Sequence, residues 1–189
     1  ARFTLNPSSP WSLSASYAFL KSPEALEPSI SQQRVTTSVL NTRPVWKTGE
    51  WASAVIYGVN KLEHTDRWSN SLLAESNLSF DRSNSVFARL EYVDKSAEDL
   101  DLSDQPPDAR FSVGSVAFGY VRELVRYPGG TLGLGGRLAI DFVPAAIAPD
   151  YGSRTPTGFA VYLRIRPRRL PQTAMAAMDM PTGRAVQRP

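Results

Sequence analysis

The chain has 189 residues, 42% hydrophobic and 21% charged, with 21 Lys plus Arg against 18 Asp plus Glu and a formal net charge of +3. That length suffices for one domain with a sizeable core, and its bases are dispersed among acids, not clustered as in a nucleic-acid binder. With no cysteine and one histidine, His64, the composition excludes a disulfide scaffold, a thiolate metal site, a cysteine nucleophile and a multi-histidine metal centre.

In chain order the pattern is alternation with a period of two, the mark of strands with one apolar and one polar face. Residues 2–6 give a short first candidate. Next, Trp11, Leu13, Ala15, Tyr17 and Phe19 oppose Ser12, Ser14 and Ser16, while residues 22–26 hold at most one helical turn. Weaker alternation runs through 34–42 and 51–60. From Trp68 the even positions Leu72, Ala74, Leu78 and Phe80 oppose Ser69, Ser71, Glu75 and Asn77. Val86, Ala88, Leu90 and Tyr92 oppose Ser85, Phe87, Arg89 and Glu91, and a further strand is expected over 111–124. The clearest pattern sets Leu132, Leu134, Leu138, Ile140 and Phe142 against Arg137 and Asp141. The last sets Phe159, Val161, Leu163 and Ile165 against Tyr162, Arg164 and Arg166. No segment sustains an i, i+3, i+4, i+7 stripe. The longest apolar run, 138–148, is cut by Asp141 and Pro144 and falls short of the roughly 20 residues of a membrane-spanning helix.

Eight strands, or nine with 2–6, define an all-β chain. Counting from 11–19, the gaps between them are about 13, 8, 7, 4, 17, 6 and 15 residues, longer ones in the odd places. An up-and-down transmembrane β-barrel has this parity, with long outer loops and short periplasmic turns. Trp11, Trp51 and Trp68 open strands, and Phe19, Phe80 and Phe142 lie near strand ends, where a bilayer's headgroups favour amphipathic rings. A soluble sandwich or lipocalin-like barrel also alternates, with its apolar face inward and its charges in water. Loop parity and aromatic placement favour the membrane barrel.

Several motifs recur in fixed order: Trp11-Ser-Leu-Ser-Ala-Ser-Tyr17, Lys21-Ser-Pro-Glu-Ala-Leu-Glu-Pro28, Arg34-Val-Thr-Thr-Ser-Val39, Tyr57-Gly-Val-Asn60, Phe87-Ala-Arg-Leu-Glu91, Gly119-Tyr-Val-Arg-Glu123, Leu132-Gly-Leu-Gly-Gly136, Pro149-Asp-Tyr-Gly152 and Tyr162-Leu-Arg-Ile-Arg-Pro167. Together they resemble the C-terminal half of a largely uncharacterised family of proteobacterial outer-membrane β-barrel proteins, over nearly all of residues 1–167. The resemblance implies the closing strands of a longer barrel, inserted by the barrel-assembly machinery into outer-membrane lipid. Some members of that family occur near heavy-metal resistance genes. Many outer-membrane barrels end on an aromatic residue that the machinery reads. Here some twenty residues follow Pro167, which would make that signal internal or degenerate.

In a barrel, an Arg or Lys facing lipid at mid-membrane costs about 2–4 kcal/mol, so the charged faces are expected to line the lumen. The residues so assigned are Glu75, Arg89, Glu91, Arg137, Asp141, Arg164 and Arg166, with Arg34 and Arg122 as further candidates. Glu75 with Arg89, and Asp141 with Arg164, are the ion pairs expected across neighbouring strands. The set is either a structural charge network filling the interior or a solute-selecting constriction.

His64 sits in an expected outer loop near Ser69 and Ser71, but no Gly-x-Ser-x-Gly elbow exists and a solvated side chain accounts for it. Asp99, Asp101 and Asp104 alternate as in a calcium loop, yet the glycine and terminal Glu are missing, which leaves a hydrated acidic loop. Gly129, Gly130, Gly133, Gly135 and Gly136 precede no helix, so they make room for bulky neighbours and do not cradle phosphate. The tail from 168 lacks strand periodicity. It holds all three methionines, Met175, Met178 and Met180, whose thioethers suit Cu(I).

The resulting expectation is an integral outer-membrane β-barrel, acting as a passive porin-like channel with a charged lumen, with no catalytic machinery and no cofactor. Its expected partners are lipid and small solutes or metal ions. The alternatives are a soluble periplasmic β-barrel that binds a ligand, and a structural or metal-resistance-associated barrel without transport activity.

Overall fold

The computed structural model describes residues 1–21, 31–62, 68–107 and 109–167. His64, Met175, Met178, Met180 and the 22–26 stretch lie outside the described residues. Among the described residues there are nine strands: β1 (Arg2–Ser8), β2 (Trp11–Lys21), β3 (Ser31–Val45), β4 (Gly49–Leu62), β5 (Trp68–Ser79), β6 (Asn84–Ser96), β7 (Arg110–Tyr127), β8 (Gly130–Phe142) and β9 (Thr157–Pro167). They form one antiparallel up-and-down sheet in the order β1 to β9. Single 3₁₀ turns at Glu98–Leu100 and Ala145–Ile147 lie in the two longest connections. The edges, β1 and β9, do not pair with each other, so the sheet stays open.

Connection lengths alternate more sharply than the sequence implies. At one end of the sheet the strands are joined by 2, 3, 4 and 2 residues, and at the other by 9, 5, 13 and 14. The 8-residue gap expected before Trp51 shrinks to 3 because β3 continues past residue 42 through Arg43-Pro-Val45 and β4 begins two residues before Trp51, at Gly49. Pro44 is tolerated there for a geometric reason. Thr42 donates its N–H toward Pro10 on the β2 side, so the N–H of residue 44 would point the same way, past the start of β2. A proline at that position removes no ladder bond.

The core expected from chain length does not form among the described residues. Among the described residues only Ala54, Ala97, Ala117, Val121, Val143 and Ile147 are buried apolar residues. Three of these, Ala97, Val143 and Ile147, belong to the two longest connections. The large apolar side chains of the strands instead stand exposed on one face: Phe159 is 82% exposed, Val161 70%, Leu163 69% and Ile165 71%. Register carries this face across the sheet, for example through Leu5, Leu13, Val39, Val55, Ala74, Leu90, Val116 and Ile140. The buried strand residues Ala54, Ser85, Ala117, Val121 and Glu123 all lie on the opposite, polar face. A hollow of about 540 Å³ on that face touches side chains from Leu40 of β3 round to Arg164 of β9, so the polar side is the concave one.

Aromatic residues lie near both ends of the strands. Trp11 opens β2, Trp51 lies near the start of β4, and Trp46 and Phe80 sit in adjacent short turns with ring centroids 6.4 Å apart. At the long-loop end stand Phe19, Trp68, Tyr92 and Phe142.

Candidate functional site

Register places Glu75, Arg89, Glu91, Arg137, Asp141, Arg164 and Arg166 on the concave face. Arg34 stands there too, its Nε donating to Asn60 Oδ1 at 2.8 Å. Arg122 does not. It pairs in register with Leu134 and is exposed on the apolar side near the short turns, and Glu123 is the residue that faces inward.

The charges fall into two clusters. In the first, Glu75 and Arg89 are direct cross-strand neighbours, with Arg89 Nη1 3.7 Å from Glu75 Oε2. The same guanidinium donates from Nη2 to Glu91 Oε1 at 2.6 Å, so one arginine serves two carboxylates. In the second, Arg164 Nη2 donates to Glu123 Oε1 at 2.6 Å, and Arg166 Nη2 lies 3.8 Å from the same oxygen. The Glu123 side chain is only 4% exposed, against 48% for Glu75. The Asp141–Arg164 pair expected from sequence does not form. Arg164 stands opposite Gly133, eight residues along β8 from Asp141, or about 26 Å at the rise of an extended strand.

Glycines make the second cluster possible. Glu123 and Arg164 are separated by β8, and Gly133 lies between them in register. A Cβ on Gly133 would stand 3.3 Å from Glu123 Oε2 and 2.9 Å from the Arg122 carbonyl oxygen, so only a glycine leaves the guanidinium a path across the strand. Two rings use the same device. Phe87 lies over Gly119, where a Cβ would come within 2.2 Å of Cζ, and Tyr162 lies over Gly135, where it would come within 2.5 Å of Cζ. Large side chains thus fold down onto glycines of the next strand, which also shields exposed backbone. Gly136, by contrast, belongs to the apolar face, opposite Tyr120 and Val161.

A bulge beyond this cluster adjusts β7. The register steps from Glu123↔Gly133 to Val125↔Leu132, leaving Leu124 as the extra residue. Leu124 and Val125 are both exposed, at 55% and 53%. Arg126 then returns to the concave side and donates to the Arg82 carbonyl in the β5–β6 turn.

The hollow between these groups is lined on one side by small residues, Thr42, Ala52 and Ala54, and on the other by Arg89, Arg137 and Tyr162. Its chemistry is that of a polar, charged conduit or binding groove. In the acidic connection, Asp99 Oδ2 accepts from the Ser96 N–H and the Asp99 N–H donates to Ser96 Oγ, both at 3.0 Å, which pins the turn. Among the described residues no three metal-ligating side chains are grouped to hold an ion.

The sequence reading missed Glu123. The stretch Gly119-Tyr-Val-Arg-Glu-Leu-Val-Arg126 places charges at both parities, and the bulge hides its alternation. A usable signal was the pairing of Val121 and Glu123 against the glycines at 133 and 135. A scan of the chain against protein-family models found no match, and searches of curated proteins and of solved structures found none either.

Proposed function

We propose that these strands are part of a transmembrane β-barrel of the bacterial outer membrane, acting as a passive porin-like conduit whose lumen is the concave polar face. The observation that carries the reading is the inverted polarity of the sheet. Soluble monomers rarely expose apolar patches beyond a few hundred Å², yet here the apolar face extends over all nine strands while ion pairs and hydroxyls line the concavity. A lipid bilayer is the solvent in which that arrangement is stable. Strand lengths of mostly 11–15 residues match the span of a tilted bilayer crossing, and the aromatic residues at both strand ends match its two interfaces. The alternation of short and long connections adds a fixed orientation, with turns on the periplasmic side and loops outside.

Fractionation of native cells tests this. An antibody to the 94–110 loop should detect the protein in the outer-membrane fraction, with a mobility that differs between boiled and unboiled samples. Detection only in the soluble periplasmic fraction would establish a ligand-binding soluble barrel instead. In planar bilayers the purified protein should conduct ions; normal insertion without current would mark a structural barrel.

A further inference from the structure

On the concave face the carboxylates around the hollow are all engaged by arginines. Glu75 and Glu91 share Arg89, and Glu123 is held by Arg164 with Arg166 behind it. Arg137 differs. It is exposed, it lines the same 540 Å³ hollow, and among the described residues it has no ion-pair or hydrogen-bond partner. Its cross-strand neighbours are Gly119 on β7 and Ala160 on β9, neither of which offers a side-chain acceptor. Asp141, the other charge on that side of β8, lies four residues away, about 13 Å at the rise of an extended strand and beyond ion-pair reach. Asn77 and Tyr162 line the same hollow, and neither side chain has a hydrogen-bond partner among the described residues.

The hollow therefore presents one uncommitted guanidinium and two uncommitted neutral polar groups, and its lining sets one carboxylate, Glu75, against three arginines, Arg89, Arg137 and Arg164. An approaching anion meets an available fork of N–H donors with little opposing charge; an approaching cation meets Arg137 and carboxylates that are already occupied. Guanidinium geometry suits planar or tetrahedral oxyanions that accept two bonds at once. We propose that the groove selects small anions, and that Arg137 makes the charge contact with a carboxylate or phosphate group, assisted by Tyr162. The proposal rests on the conduit reading above and names the solute class of that conduit.

The experiment is a reversal-potential measurement on the full-length protein in planar bilayers under a potassium chloride gradient. Wild type should prefer chloride over potassium. Arg137→Gln should bring the permeability ratio toward unity, Arg137→Glu should invert it, and Arg137→Lys should preserve its sign. Inorganic phosphate and acetate, added separately, serve as oxyanion probes that tell phosphate from carboxylate recognition. Each probe that binds should reduce the chloride current, and Arg137→Gln should raise its half-blocking concentration about ten-fold. Heat-modifiable mobility of each variant establishes that it has folded. A cation-preferring wild-type channel, or a preference that Arg137→Glu leaves unmoved, overturns the proposal and leaves the conduit standing. No current from correctly inserted wild type overturns the conduit reading and the proposal together.

Discussion

Along β2 and β3 the concave face carries Ser12, Ser14, Ser16, Thr36, Ser38 and Thr42, with Arg34 near the long loops, whereas along β6–β9 it carries Phe87, Arg89, Glu123, Arg137, Tyr162 and Arg164. Both stretches obey the same alternation and the same hydrogen-bond ladder, and they differ in how the face is filled. In the first, short hydroxyl side chains make few contacts and leave the hollow open. In the second, long side chains would collide in a regular sheet, and they fit because Gly119, Gly133 and Gly135 give them somewhere to lie. One wall supplies the space of the groove and the other its charge, and each is made by a different class of residue at the same register positions.

If that division is correct, substitutions on the two walls should have unequal effects. The largest is expected for Glu123→Gln. It removes the carboxylate that two arginines share at a side chain only 4% exposed, and stability should fall by about 2–4 kcal/mol in a denaturant titration followed by tryptophan fluorescence. Glu75→Gln, at a side chain 48% exposed, should cost under about 1 kcal/mol in the same assay. Equal losses at both sites would remove the distinction between the two charge clusters.

Next in size is Gly119→Leu, which drives a side chain into the Phe87 ring and should cost about 1–3 kcal/mol. Combining it with Phe87→Ala should recover part of that loss, since the two sites couple through direct contact. On the other wall Ser14→Val changes a concave-face residue outside the hollow, whose Oγ makes a 3.2 Å contact with Thr4 Oγ1. Its effect should stay within about 0.5 kcal/mol.

The smallest effect is a pH dependence outside the strands. In the β5–β6 turn, the Asn84 side-chain amide and the Ser83 and Asn84 N–H groups hold the Asp81 carboxyl below its ordinary range. A depressed carboxylate contributes stability at pH above the ordinary aspartate value and loses it as pH falls through the lowered one. Amide exchange at Ser83 and Asn84 should therefore stay protected on acidification to about pH 4 and quicken only below that. In Asp81→Asn the protection should be weaker wherever the wild-type carboxyl is ionised, and the difference should close once that carboxyl is protonated.

Much of this was legible in the residues. A period of two fixes which side chains share a face, so the seven charges assigned to one face do fall together. The strand order and the side on which each connection lies follow from the same reading. Pairing beyond immediate neighbours was not legible, because it depends on register summed over several strands. Asp141 and Arg164 look like partners until β8 and β9 are aligned and prove to be eight residues out of step. Strand ends failed where chemistry imitates a turn, as at Arg43-Pro44. The hollow itself leaves no sequence signal, since alanine and threonine facing a void look the same as alanine and threonine facing water.

The odd number of strands among the described residues carries a geometric consequence. In a meander, β1 and β9 run in the same direction, so rolling this sheet until its edges met would produce one parallel seam among antiparallel ones. Bacterial single-chain barrels have an even strand count. In a cylinder of that kind, a strand of opposite direction must stand between β9 and β1, offering each edge the partner that the other cannot provide. Within such a cylinder these nine strands would form an arc of the wall, and the circumference would be at least one strand longer.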